Sequence, residues 1–313
     1  MWVKKDGSWL KTVALGGFAL PDIWVRTLAI TGLSVVSTVL YETVPALHYS
    51  IGATPFALIG LPLGIFLGFR NNAAYDRFWE ARKLWGALVN TSRSITRQVL
   101  TVLEVPETAP EADKRELETF KVAFVHYVIG FVHALRHHLR DSSPFENLGH
   151  ILPDEETKRL KGQDNVPYAM LQRMGEMLVV ARRRQWLDRF HVPIVEASLV
   201  SLTDIQGACE RIKNTPIPFS YTVLLHRIVA VYCLLLPFGL MDTIKWATPV
   251  VALVISYCFF GLDAVGDEIE QPFGLDTNDL PLKSIARTIE RNLRERLAEE
   301  LPPPVAPKKG ILS

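Results

Sequence analysis

Apolar residues in this chain gather into four stretches separated by charged blocks. The first covers 23–41, IWVRTLAITGLSVVSTVLY, and the second covers 51–69, ending at Arg70. The third runs over 217–240, IPFSYTVLLHRIVAVYCLLLPFGL, and the fourth over 247–262, ATPVVALVISYCFFGL. Each is near the ~20 residues that a bilayer-spanning helix needs, so the pattern predicts four transmembrane helices. Trp24 and Tyr41 sit where interfacial aromatics belong, and Arg26 is close enough to an end to snorkel. His226 and Arg227 interrupt the third stretch, and charges at that depth must face protein, water or headgroups. Pro237 and Pro249 flank the link MDTIKW, which reads as a tight helical hairpin.

Between the second and third stretches the pattern is helical but not membrane-spanning. ELETFKVAFVHYVIGFVHALRHHLR, 116–140, holds an apolar core from Val122 to Leu135, too short to span comfortably and flanked by charge. It reads as the buried helix of a cytoplasmic bundle. A loop is expected over 141–168 with Pro144, Pro153 and Pro167, then helices near 168–188 and 194–214. The C-terminal part opens with PFGLDTNDLPL and continues as the amphipathic KSIARTIERNLRERLAEEL; LPPPVAPKKGILS should be extended or disordered. The expected fold is therefore all-α, with four transmembrane helices per subunit plus a cytoplasmic helical bundle. Its parts are 1–70, the first two spans; 71–215, the cytoplasmic region; 216–264, the last two spans; and 265–313, the cytoplasmic tail.

Charge placement orients the spans. Lys4, Lys5 and Lys11 precede the first, whereas the link ETVPALHYSIGA has no Lys or Arg. Arg70, Arg77, Arg82 and Lys83 follow the second span, and only Lys245 lies between the third and fourth. The positive-inside bias puts both termini and the middle region in the cytoplasm. The overall charge of +1 offers nothing to a nucleic acid, and the Arg cluster in ARRRQW, 181–186, suits a solvated face, an ion pair or lipid headgroups better.

The second span carries the strongest functional signal. Gly60, Gly64 and Gly68 recur every fourth residue, as do Leu61, Ile65 and Phe69. At roughly 100° per residue these form two adjoining stripes. Glycines let a second helix approach closely, and the apolar stripe beside them must face something. Packing within one subunit would satisfy both stripes; so would a narrow apolar pore shared by several identical subunits. Pro62 and three glycines would be costly in a helix with no special role. Stacked apolar rings can gate by dewetting, though without charge they cannot choose the sign of an ion. Arg70 and Asp76, where the helix leaves the membrane, are candidate vestibule residues, with an ion pair between subunits the alternative.

Other chemistry finds little support. His133 and His137 are four apart on a helix, but no third metal ligand sits at a telling distance. DEIEQPFGLDTND lacks the alternating oxygen ligands and closing Glu of an EF-hand; Asn278 or Asp279 reads as a cap for the following helix, with Pro281 in its first turn. There is no GxSxG, phosphate-binding glycine loop or HExxH, so no enzyme is predicted. Cys209, Cys233 and Cys258 are expected to be buried free thiols.

Three segments, GFRNNAAYDRFWEARKLWG, TDIQGACERIKNTPIPFSYTVLLHR and DEIEQPFGLDTNDLPL, in this order, resemble the bestrophin family, in particular its prokaryotic branch. The resemblance implies a homopentameric channel with one axial pore, in a bacterial inner membrane. It puts the pore neck on Leu61, Ile65 and Phe69 and a second, cytoplasmic aperture on Ile194 in HVPIVEASL. It implies passive conduction of small monovalent ions, chloride-type anions or sodium-type cations, with membrane lipid and further copies of the chain as partners. Animal members bind calcium at an acidic cluster after a PFG triplet. Here LDTND follows PFG, keeping Asp276 and Asp279 but replacing the other acidic positions, so calcium is not expected to be required and those two residues are the candidate ligands. The competing expectation is a non-conducting membrane scaffold whose cytoplasmic bundle binds a partner.

Overall fold

The computed structural model describes residues 20–307 and 310–312; Lys4, Lys5 and Lys11 lie outside them. The described residues form ten α-helices: α1 (Leu20–Thr43), α2 (Thr54–Val102), α3 (Glu111–Leu139), α4 (Phe145–Leu148), α5 (Asp154–Leu160), α6 (Val166–Arg183), α7 (Val192–Asn214), α8 (Phe219–Ile244), α9 (Thr248–Glu270) and α10 (Leu282–Arg296). Stretches long and apolar enough to cross a membrane are Ile23–Thr43, Thr54–Val102 and Phe219–Glu270. The last holds two helices, α8 and α9, joined by the 3-10 turn Lys245–Ala247. The hairpin link is shorter than the run MDTIKW suggested, because α8 continues through Ile244. Lys245, at φ 43°, makes the reversal there.

One compact unit comprises, among the described residues, 20–79 and 216–272. Its core is Ile23, Ile30, Phe56, Leu63, Leu225, Val229, Tyr232, Cys233, Leu236 and Phe260. The helix α1 packs along α9. Both present small buried residues, Thr27, Ser34 and Thr38 on one and Ala252 and Ser256 on the other, the residue class that lets helices approach in a membrane. Gly60 accommodates Tyr232: a Cβ there would lie 2.6 Å from the tyrosine hydroxyl.

The second unit comprises residues 80–215, 273–307 and 310–312. Here α3 packs against α6 and α10, and α6 against α7. The predicted apolar core of α3 is buried almost throughout from Phe124 to Leu135. The helix begins earlier than its apolar pattern, at Glu111, where Glu111 and Asp113 lie in the first turn beside the unpaired amides. The loop expected over 141–168 contains α4 and α5, each starting right after a proline, Pro144 and Pro153. Arg184 of the arginine cluster reaches Glu116 at 2.9 Å.

Two local expectations are corrected. Neither Asn278 nor Asp279 caps α10; the N-cap position is Pro281, with no side-chain hydrogen bond. Asp279 instead closes the loop before it, its Oδ2 accepting from the Asp276 amide at 2.7 Å. Cys209 and Cys233 are buried free thiols, but Cys258 is exposed on α9. Burial pushes the Cys209 thiol up to about 12, so it stays protonated and unreactive at neutral pH.

Candidate functional site: an outward apolar stripe on the long helix

The segment 60–86 lies within a single helix, α2, that runs unbroken for 49 residues and contains Pro62. Its buried positions follow a three-and-four spacing: Phe56, Leu63, Leu67, Arg70 and Ala74 in the first unit, then Ala81, Trp85, Leu88, Ile95 and Val99 in the second. Such spacing keeps one face of a helix turned to a core. Leu61, Ile65 and Phe69 lie off that face, exposed to 73%, 50% and 61%. Each is two residues or fewer from a buried position, yet about 200° round the helix from Leu63 and Leu67 in the first two cases. Asp76, also exposed, continues the same outward line past the apolar part.

Gly60 meets Tyr232 of the same chain, whereas a Cβ at Gly64 or Gly68 would have nothing within 4 Å. The glycine stripe therefore packs inside the chain at one end only. Beyond Gly60 the helix presents bare backbone beside exposed Ile65 and Phe69.

Arg70 is corrected as a vestibule residue. Its side chain is wholly buried and its partners belong to the same chain: Nη1 reaches Asp263 Oδ1 at 2.9 Å, Nη2 is paired with Asp267, and Glu270 lies 3.8 Å away. Asn71 donates to the Leu262 carbonyl at 2.9 Å, in a space left by Gly266. Sequence reasoning missed this carboxylate cluster, although the acidic run after the fourth apolar stretch and the buried-depth His226 were both visible signals. His226 approaches the same carboxylates, 3.3 Å from Asp263 and 3.3 Å from Asp267.

Ile194 sits in the first turn of α7, behind Pro193, and is 51% exposed while its neighbour Val195 is fully buried. Of the candidate calcium ligands, Asp276 is exposed and Asp279 is 2% exposed. Arg140 holds the two ends of that loop, donating to the carbonyls of Phe273 at 3.1 Å and Leu280 at 3.2 Å. The loop's shape is thus set by protein donors.

The helical pair of histidines is separated by its partners. His133 Nε2 contacts Glu290 Oε2 at 3.0 Å, and His137 contacts Asn147 at 2.8 Å. Burial lowers the His133 pKa against the opposing pull of Glu290, with Arg136 and Arg287 acting in the same direction as burial. Burial alone would raise the Glu290 carboxyl, but His133, Arg287 and Arg294 outweigh it and hold it below the usual value. A neutral imidazole donating to a carboxylate fits both directions.

The family model described as bacterial/fungal bestrophin protein matches residues 1–295. A voltage-dependent anion channel-forming protein of Ralstonia nicotianae is 39% identical over 300 residues, covering 96% of this chain and 95% of its own length. The YneE protein of Escherichia coli K12, named in the same words, is 36% identical over 311 residues, covering 99% and 98%. Among solved structures, a bacterial bestrophin homologue from Klebsiella pneumoniae matches with a TM-score of 0.82 at 33% identity, covering 89% of this chain and 100% of that one. With the long apolar helices described above, these likenesses identify an integral membrane protein, and the chain belongs to the bestrophin family, in its bacterial and fungal branch.

Proposed function

We propose that this chain is one subunit of a pentameric channel that passively conducts small monovalent anions. The observation that carries the reading is the outward stripe of α2. Leu61, Ile65 and Phe69 are exposed on a helix whose opposite face is buried, and the stripe continues through exposed Asp76, a charge that suits a wet path shared with further copies of the chain better than lipid. Around a symmetry axis the three residues would form stacked apolar rings, a neck that holds water and ions poorly when narrow. Gly64 and Gly68, open in the single chain, would let neighbouring copies of α2 approach. Ile194 would form the cytoplasmic aperture, and Asp76 would face the vestibule. The choice of anions follows the relatives, which are named as anion channel-forming proteins.

Four crossings, by α1, the first part of α2, α8 and α9, would place both termini and the second compact unit on the cytoplasmic side of a bacterial inner membrane. No cofactor is needed for this scheme. Calcium is not part of it, since Arg140 already ties the Asp276–Asp279 loop.

Reversal potentials of the purified protein in planar bilayers across a chloride gradient test the proposal. A shift toward the chloride equilibrium potential is expected. A shift toward the cation potential would reverse the selectivity. Absence of any current from correctly assembled protein would leave the scaffold reading instead.

A further inference from the structure

The acidic end of α9 holds more negative charge than Arg70 can balance. The Arg70 guanidinium faces three carboxylates, Asp263, Asp267 and Glu270, while Arg77 Nε donates to the Glu270 carbonyl at 3.2 Å, so the group stays net negative when His226 is neutral. Asp263 is 3% exposed, so its own charge sits where solvent screens it poorly.

His226 from α8 completes the arrangement. Its Nε2 lies 3.3 Å from Asp263 Oδ1 and 3.3 Å from Asp267 Oδ2, and the three ligand atoms all lie within 4.8 Å of one another. The nitrogen is shielded from solvent and makes no hydrogen bond despite these short approaches. Ligands bound at about 2.0–2.1 Å round a tetrahedral ion stand about 3.3–3.4 Å apart. The observed spacings of 3.3 Å match that separation.

We propose that His226, Asp263 and Asp267 form a binding site for a divalent transition-metal cation, with zinc the best chemical match. Imidazole with carboxylates suits zinc, and two positive charges cancel the excess. Half-exposed His226 and Asp267 leave one side open for entry and for water as a further ligand. Arg70 is the positioning residue: it pairs with Asp267 through Oδ1, leaving Oδ2 turned to His226. Its Nη1 also bonds Asp263, at the same Oδ1 that faces His226, and outer partners commonly hold metal-binding carboxylates in this way. The site is independent of whether the protein conducts.

The test is calorimetric titration of metal-stripped, detergent-purified full-length protein with zinc chloride, beside His226→Gln and Asp267→Asn. Wild type should bind one zinc per subunit, and each variant should bind at least about tenfold more weakly. Equal affinity and stoichiometry in all three would overturn the proposal. Should both variants fail to assemble, zinc K-edge absorption of the loaded wild type decides: one imidazole with oxygen ligands supports the site. A sulfur ligand, or two or more imidazoles, refutes it.

Discussion

Leu61 and Leu63 stand two residues apart on α2, one 73% exposed and the other 3%. The same residue type at the same depth therefore carries two different energetic roles. Leu63 and Leu67 hold the subunit together, whereas Leu61, Ile65 and Phe69 contribute nothing to its core.

Truncation should separate those roles. Ile65→Ala with Phe69→Ala is expected to widen the neck and raise single-channel current in planar bilayers, with the unfolding midpoint nearly unchanged. Leu67→Ala removes a fully buried side chain and should cost about 2–5 kcal/mol of stability. Unchanged current and open probability in the first variant would contradict the neck assignment.

Ile194→Ala tests the aperture in the same way. The residue is half exposed beside a fully buried Val195, so truncation should alter conductance or selectivity while shifting stability by no more than about 0.5 kcal/mol. A variant with wild-type currents and a markedly lowered melting temperature would mark an ordinary packing isoleucine.

Arg70 should be intolerant of single changes. Arg70→Met strands the buried Asp263 and is expected to cost about 3–5 kcal/mol. Pairing it with Asp263→Leu should recover much of that loss, because no buried charge is then left without a partner at that contact. Additive losses, read from thermal unfolding in one detergent, would argue that the two residues are energetically independent.

His133 makes stability depend on pH. Its pKa in the folded protein is lowered from the ordinary 6.5, so the unfolded chain binds the extra proton first as pH drops. Stability should therefore be full above 6.5 and decline below it, until the folded pKa is reached. Glu290, also depressed, adds a second decline at lower pH, through the carboxylate range. Denaturation midpoints between pH 8 and about 5 should flatten in His133→Asn relative to wild type; parallel curves would remove His133 as the cause.

Gly60→Ala should push on Tyr232, whose hydroxyl lies 2.6 Å from the added Cβ position. Overpacking of this kind costs about 1–3 kcal/mol. Tyr232→Phe in the same chain should return part of it, and Gly64→Ala, facing open space in the single chain, should leave the subunit's own packing intact. Assembly assayed by cross-linking then distinguishes the two glycines.

Local periodicity made the long helix legible. The four-residue recurrences and the unbroken pattern through Arg70 anticipated a continuous α2, and they separated the outward stripe from its neighbours. The apolar stretches anticipated α1, α8 and α9 for the same reason: hydropathy is a property of adjacent residues. The fate of Arg70 was illegible because its partner Asp263 is 193 residues away, and no local pattern tells an arginine at a membrane border that it will be enclosed. Asp279 failed similarly. Its position before a helix suggested a cap, but loop closure onto Asp276 and the reach of Arg140 decided its bonds. Cys258 was misread because an apolar run was equated with burial, whereas in a membrane helix one apolar side can face outward.

The Arg70–Asp263 pair also sets an order of events at the ribosome. At about 5–20 residues per second, some 10–40 s pass between synthesis of the arginine and of its counter-charge. Throughout that interval α2 exists without α9, and the guanidinium must be kept at the membrane border by its own flexible stem. The helix α2 is therefore held provisionally at first, and the arrival of α9 with Asp263 converts it to a locked state.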